Sequence, residues 1–140
     1  MSLALACGFA AAQNQINAPA QIEFRVTRFD PTDQTSPVFK VGHGGDAAKI
    51  EIPLTYIGGP HKATLRDGRF LDLRRDSAKL PEISLPIAEN EHTDLLLIFI
   101  PAAQSFNVIK VLTPLARMRG GDRLIINATN KRLVIKSGEE

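Results

Sequence analysis

Six consecutive apolar residues, Leu95-Leu96-Leu97-Ile98-Phe99-Ile100, constrain this chain more than any other stretch. The run is far shorter than the ~20 residues that a membrane-crossing helix needs. A strand that is apolar on both faces has to be covered on both, so the run predicts a central strand lying under other layers. That requirement favours a two-sheet sandwich over a barrel.

The sequence around it alternates with period two, as half-buried strands do. Ile22, Phe24 and Val26 point one way while Glu23, Arg25 and Thr27 point the other. Asp30-Pro31-Thr32-Asp33 reads as a turn, and Phe39 and Val41 form a short strand stopped by Gly42-His43-Gly44-Gly45. Ile50, Ile52 and Leu54 alternate around Pro53, and Ile83, Leu85 and Ile87 alternate around Pro86. Proline cannot donate to a ladder, so both strands are expected at sheet edges or bulges. Lys62 to Arg66 and Arg69 to Arg74 flank Asp67-Gly68, a strong hairpin signal because a type I′ turn needs positive φ at both central residues. Phe106 to Leu112 reads as a strand, since Pro114 and the β-branched content oppose a helix. Arg123 to Ala128 and Arg132 to Lys136 read as a closing hairpin across Thr129-Asn130-Lys131. The expected fold is an all-β antiparallel sandwich, Ig-like or Greek-key, of about nine strands with no significant helix.

Several of these segments carry a resemblance. Leu96 to Pro101, Phe106-Asn107-Val108, Lys110-Val111-Leu112, Gly121 to Thr129 and Val134-Ile135-Lys136 resemble the pattern of a family of small secreted bacterial β-sandwich proteins of uncharacterised function. That pattern is an apolar strand ending in Pro, an aromatic-x-Val strand, a Gly-led strand ending in Asn-x-Ser/Thr, and a closing strand. The resemblance covers the C-terminal third and implies a sandwich fold and an exported protein. It implies no catalytic residues.

The opening stretch bears on compartment. Residues 3–10 resemble the apolar core of a signal peptide, and Ala10-Ala11-Ala12 supplies small residues for cleavage before Gln13. Residues 1–12 are therefore expected to be a truncated signal peptide lacking its basic start, 13–19 a linker, and 20–140 a single domain. Two other readings remain open: a lipoprotein box at Ala4-Leu5-Ala6-Cys7, or a first element packed on the core. Cys7 is the only cysteine, so its removal with the signal leaves no disulfide, thiolate metal site or cysteine nucleophile.

With 17 basic and 15 acidic side chains, net charge +2, the composition does not point to nucleic acid. The charge is uneven, since Lys110, Arg117, Arg119, Arg123, Lys131, Arg132 and Lys136 face a single acid, Asp122, in the same stretch. Solvated strand faces explain this, and a polyanion-binding face is the sharper alternative.

No G-x-S-x-G, H-E-x-x-H, P-loop or G-x-G-x-x-G is present. His43 and Asp46 sit in a glycine turn, and Glu89, Glu91, His92 and Asp94 concentrate oxygen and nitrogen donors in one loop. Calcium accepts such flexible carboxylate loops, although a solvated turn before the buried Leu95 strand accounts for the same residues. The three histidines, His43, His61 and His92, lack ligand spacing. With no Trp and one Tyr, Tyr56, the chain is poor in the faces that stack on sugars or single-stranded bases. Asn127-Ala128-Thr129 fits a glycosylation sequon and equally an Asn closing a strand before a turn.

The sequence therefore points to a non-enzymatic, exported interaction or structural module of the cell envelope, periplasmic or extracellular, with a protein partner. No cofactor, metal, nucleic acid or transmembrane segment is expected. The alternative is a ligand-binding or hydrolytic domain with its site where His43 to Asp46 and Glu89 to Asp94 converge.

Overall fold

The computed structural model describes residues 18–30, 35–127, 129 and 131–134. The expected signal segment 1–12, most of the linker and the turn at 31–33 lie outside the described residues. The described chain forms eight strands: β1 (Gln21–Arg28), β2 (Val38–Val41), β3 (Ala48–Glu51), β4 (Gly58–Thr64), β5 (Phe70–Arg74), β6 (Ile83–Pro86), β7 (Leu95–Pro101) and β8 (Phe106–Leu112). Short 3-10 turns occur at Gly44–Asp46, Glu89–Glu91 and Leu115–Arg117, with no α-helix among the described residues. The strands make two four-stranded sheets, ordered β4-β1-β7-β8 and β3-β2-β5-β6, so the sandwich is as expected. All pairings are antiparallel except β1 with β7, where Phe24 lies opposite Leu95 in a parallel register.

The period-two pattern explains which side chains meet between the sheets. Ile22, Phe24 and Val26 of β1 join Leu95, Leu97 and Phe99 of β7, and opposite them stand Phe39, Val41, Leu71 and Leu73. Burying a side chain of this size contributes about 1.5–3 kcal/mol. Phe39 comes from the second sheet, Phe99 and Phe106 from the first, and their ring centroids lie 5.8–6.1 Å apart. The Arg75 guanidinium closes this cluster, 4.7 Å from the Phe39 centroid, while its Nε donates to Glu82 at 2.7 Å.

β7 is an interior strand, as its doubly apolar sequence requires. Its outward residues Leu96 and Ile98 are buried too. Ile126 shares a hollow with Ile98, Ile100 and Ile109, so the stretch after β8 passes over the outer face of the first sheet. The two proline-marked strands sit at the two edges of the second sheet. Pro86 ends β6, and Pro53 follows two residues after β3.

Three expectations are corrected. Asp67 and Gly68 do form a turn with positive φ at both positions, 52° and 67°. The ladder beyond it stops at the single Arg66–Phe70 bridge. β4 then belongs to the first sheet and β5 to the second, because β1 claims Gln21–Thr64 pairing while β2 and β6 claim β5. The turn is thus a corner between sheets, not a hairpin within one. The strands number eight and not about nine, since described residues 122–127 and 131–134 enter no ladder. The sandwich is also not wholly antiparallel, because β1 and β7 run side by side.

Candidate functional site

The loop after β2 has to reverse direction at once, and Gly42 and Gly44 make this possible with φ of 108° and 74°. The Gly42 N–H donates to the Asp72 carbonyl at 3.0 Å, and the His43 N–H donates to the Thr64 carbonyl at 3.1 Å. Because Asp72 is in β5 and Thr64 in β4, the loop ties the two sheets together. The loop before β7 is fastened differently. The Glu91 carboxylate accepts from the Ala88 N–H at 2.9 Å and from Lys110 Nζ at 2.8 Å. Those two bonds, the lysine's first, hold its carboxyl below the usual range. The His92 carbonyl accepts from the Glu23 N–H at 2.9 Å, and the Asp94 carbonyl from the Thr113 N–H at 2.9 Å.

Both loops lie at the end of the sandwich where β1 begins, since Thr64 pairs with Gln21 and His92 bonds to Glu23. They do not build one site. His43 lines a hollow that includes Arg66, Asp72, Arg74 and Lys79, whereas Asp94 lines another with Glu23, Arg25 and Thr113. Asp46 is exposed on its turn, Glu89 is exposed, and His92 is half-buried. Among the described residues no three His, Cys, Asp or Glu come together in a group that could hold a metal.

The hollow beside His43 is the more chemically loaded of the two. Asp72 and Ser84 face each other across β5 and β6, on the side turned away from the core. Arg66 Nε donates to Asp72 Oδ2 at 2.7 Å, Nη2 to Oδ1 at 3.2 Å, and Nη2 also to the Ser84 hydroxyl at 2.9 Å. The Ser84 hydroxyl donates in turn to Asp72. Burial pushes the Asp72 carboxyl upward, but the bonds from Arg66 and Ser84 outweigh it and the net shift is downward. Nearby, Lys40 and Lys49 clasp Asp76 at 2.8 and 2.6 Å, the Lys40 bond first among the causes that lower its carboxyl to about 2. Arg66, Asp72, Arg74 and Lys79 were not singled out by the sequence. The available signal was the Asp67-Gly68 turn, which folds Arg66 back toward β5.

A second surface is apolar. Phe29, Ile98, Ile100, Ile109 and Ile126 line a hollow of about 350 Å³ on the outer face of the first sheet. Phe29 is 67% exposed, and Leu112, Leu124, Ile125, Leu133 and Val134 are exposed along and after the end of β8. Of the basic residues in this third, Lys110 is drawn inward to the Pro86 carbonyl and Glu91, which takes one charge from the alternative polyanion face. Lys136 lies outside the described residues. The Asn127 side chain is used in a turn, donating to the Lys131 carbonyl at 2.7 Å and accepting from the Thr129 N–H at 3.0 Å.

No family model, curated protein or solved structure matches this chain. Among the described residues no helix is long and apolar enough to cross a membrane.

Proposed function

We propose that this protein is a non-enzymatic, exported binding module of the cell envelope whose partner is another protein. The observation that carries the reading is the apolar surface where the outer face of β1, β7 and β8 meets the stretch after β8. Phe29 is 67% exposed there, at the rim of the hollow lined by Ile98, Ile100, Ile109 and Ile126. Apolar surface left in water is a cost that a partner removes, and an exposed aromatic beside an apolar hollow suits a protein interface. Phe29 provides an aromatic anchor beside a hollow that a partner side chain can fill.

The test compares proteins that co-purify with the wild type and with a Phe29→Ser/Ile109→Ser double variant from the native envelope. A partner enriched with the wild type and lost with the variant supports the reading. The same set of proteins on both sinks it.

A further inference from the structure

The hollow beside His43 has unbalanced charge. It is about 490 Å³, in the size range of small-ligand sites, and lies on the sheet opposite the apolar face. Its one acid, Asp72, has both carboxylate oxygens taken by Arg66 and Ser84, so that pair is internally neutral. Arg74 and Lys79 have no ion-pair partner among the described residues. The acid two residues beyond Arg74, Asp76, is already held by Lys40 and Lys49. Two unpaired cations and the His43 imidazole therefore face one open space. Leu80, 77% exposed, and Pro81 add an apolar wall to it.

We propose that this hollow binds a small phosphomonoester, with the dianionic phosphate between Arg74, Lys79 and His43 and the organic group against Leu80 and Pro81. A dianion balances the two free cations, whereas a carboxylate leaves one unmet. The Arg74 guanidinium presents paired donors that suit phosphate oxygens, and Lys79 adds a movable point charge. Gly44 leaves the approach open, since nothing stands within 4 Å of where its Cβ would be. The site is independent of the protein-binding reading, so either can fail alone.

Calorimetric titration with phenyl phosphate at low salt tests it, with benzoate as a monoanion carrying the same ring. Saturable binding is expected for phenyl phosphate, with benzoate about tenfold weaker or more. Arg74→Gln and Lys79→Gln are each expected to weaken phenyl phosphate about tenfold. A Lys131→Gln/Arg132→Gln variant removes twice as much charge elsewhere as either single variant and should still stay within roughly twofold of wild type. No saturable binding, equal affinity for benzoate, or an unchanged affinity in Lys79→Gln overturns the proposal. Lys79 is exposed outside the strands, so its variant decides the matter even if Arg74→Gln disturbs the fold.

Discussion

The Lys110 ammonium reaches from the first sheet to the second and donates to the Pro86 carbonyl oxygen at 2.6 Å. Lys110 pairs with the buried Leu97, so it points to the core side of β8 while Phe106 and Val108, on the same side, pack on the core. β8 and β6 are both edge strands, and this bond joins them where the sandwich would otherwise gape. An inward-pointing charge on an edge strand also opposes pairing with another chain, because docking a new strand there would strip water from the charged group.

Replacing Lys110 with Val makes β8 almost wholly apolar. The expected result is a shift from monomer toward higher oligomers in size-exclusion chromatography with light scattering, along with about 1 kcal/mol less stability from the lost bonds. An unchanged elution profile would show that the edge is protected by something else.

The Arg66–Asp72–Ser84 network should be unequal in its parts. Asp72→Ala leaves the Arg66 guanidinium facing an emptied, buried position and should cost about 2 kcal/mol in urea unfolding. Ser84→Ala removes one neutral donor and should cost about 1 kcal/mol. Equal costs would mean that the carboxylate is not the centre of the network.

Phe99→Ala removes the ring that contacts both Phe39 and Phe106 between the sheets. The cavity and the lost burial together should cost about 3–5 kcal/mol, read as a lower urea midpoint with little change in slope.

Acid should act in two windows. Burial, and secondarily the Arg25 charge, lowers the His61 pKa from 6.5, and its Nε2 is buried without a partner among the described residues. The unfolded chain therefore binds the proton more readily, so stability falls as pH drops below about 6.5 toward the folded value. Asp72, lowered from 3.8, contributes stability that is present above that value and is lost as pH falls through its folded pKa. Urea midpoints at neutral and mildly acidic pH should differ less for His61→Gln than for wild type. An equal difference would remove His61 as the source of the first window.

Local pattern was enough for much of the fold. Alternation in Ile22-Phe24-Val26 named the core face of β1, since period two leaves no other way to bury those residues. The double-sided run at Leu95 named an interior strand, and Pro53 and Pro86 named edges or bulges, because a missing N–H is poorly tolerated within a central ladder. The candidate site was less legible. His43 was visible beside its glycines, but Arg66, Arg74 and Lys79 are ordinary surface cations until the second sheet and its connections bring them to one hollow.

Glu89, Glu91, His92 and Asp94 illustrate the opposite case. They look like a ligand set in sequence, yet Glu91 is committed to Lys110, nineteen residues on, and Asp94 faces a different hollow. What the sequence by itself determined was which residues are buried, where turns fall and which strands lie at edges, all consequences of local geometry and solvation. Which strands pair, that Asp67-Gly68 turns between sheets, and which charges are left unmatched were decided only by the tertiary structure. Those depend on contacts between distant residues competing for the same partners, and no local pattern records the outcome of that competition.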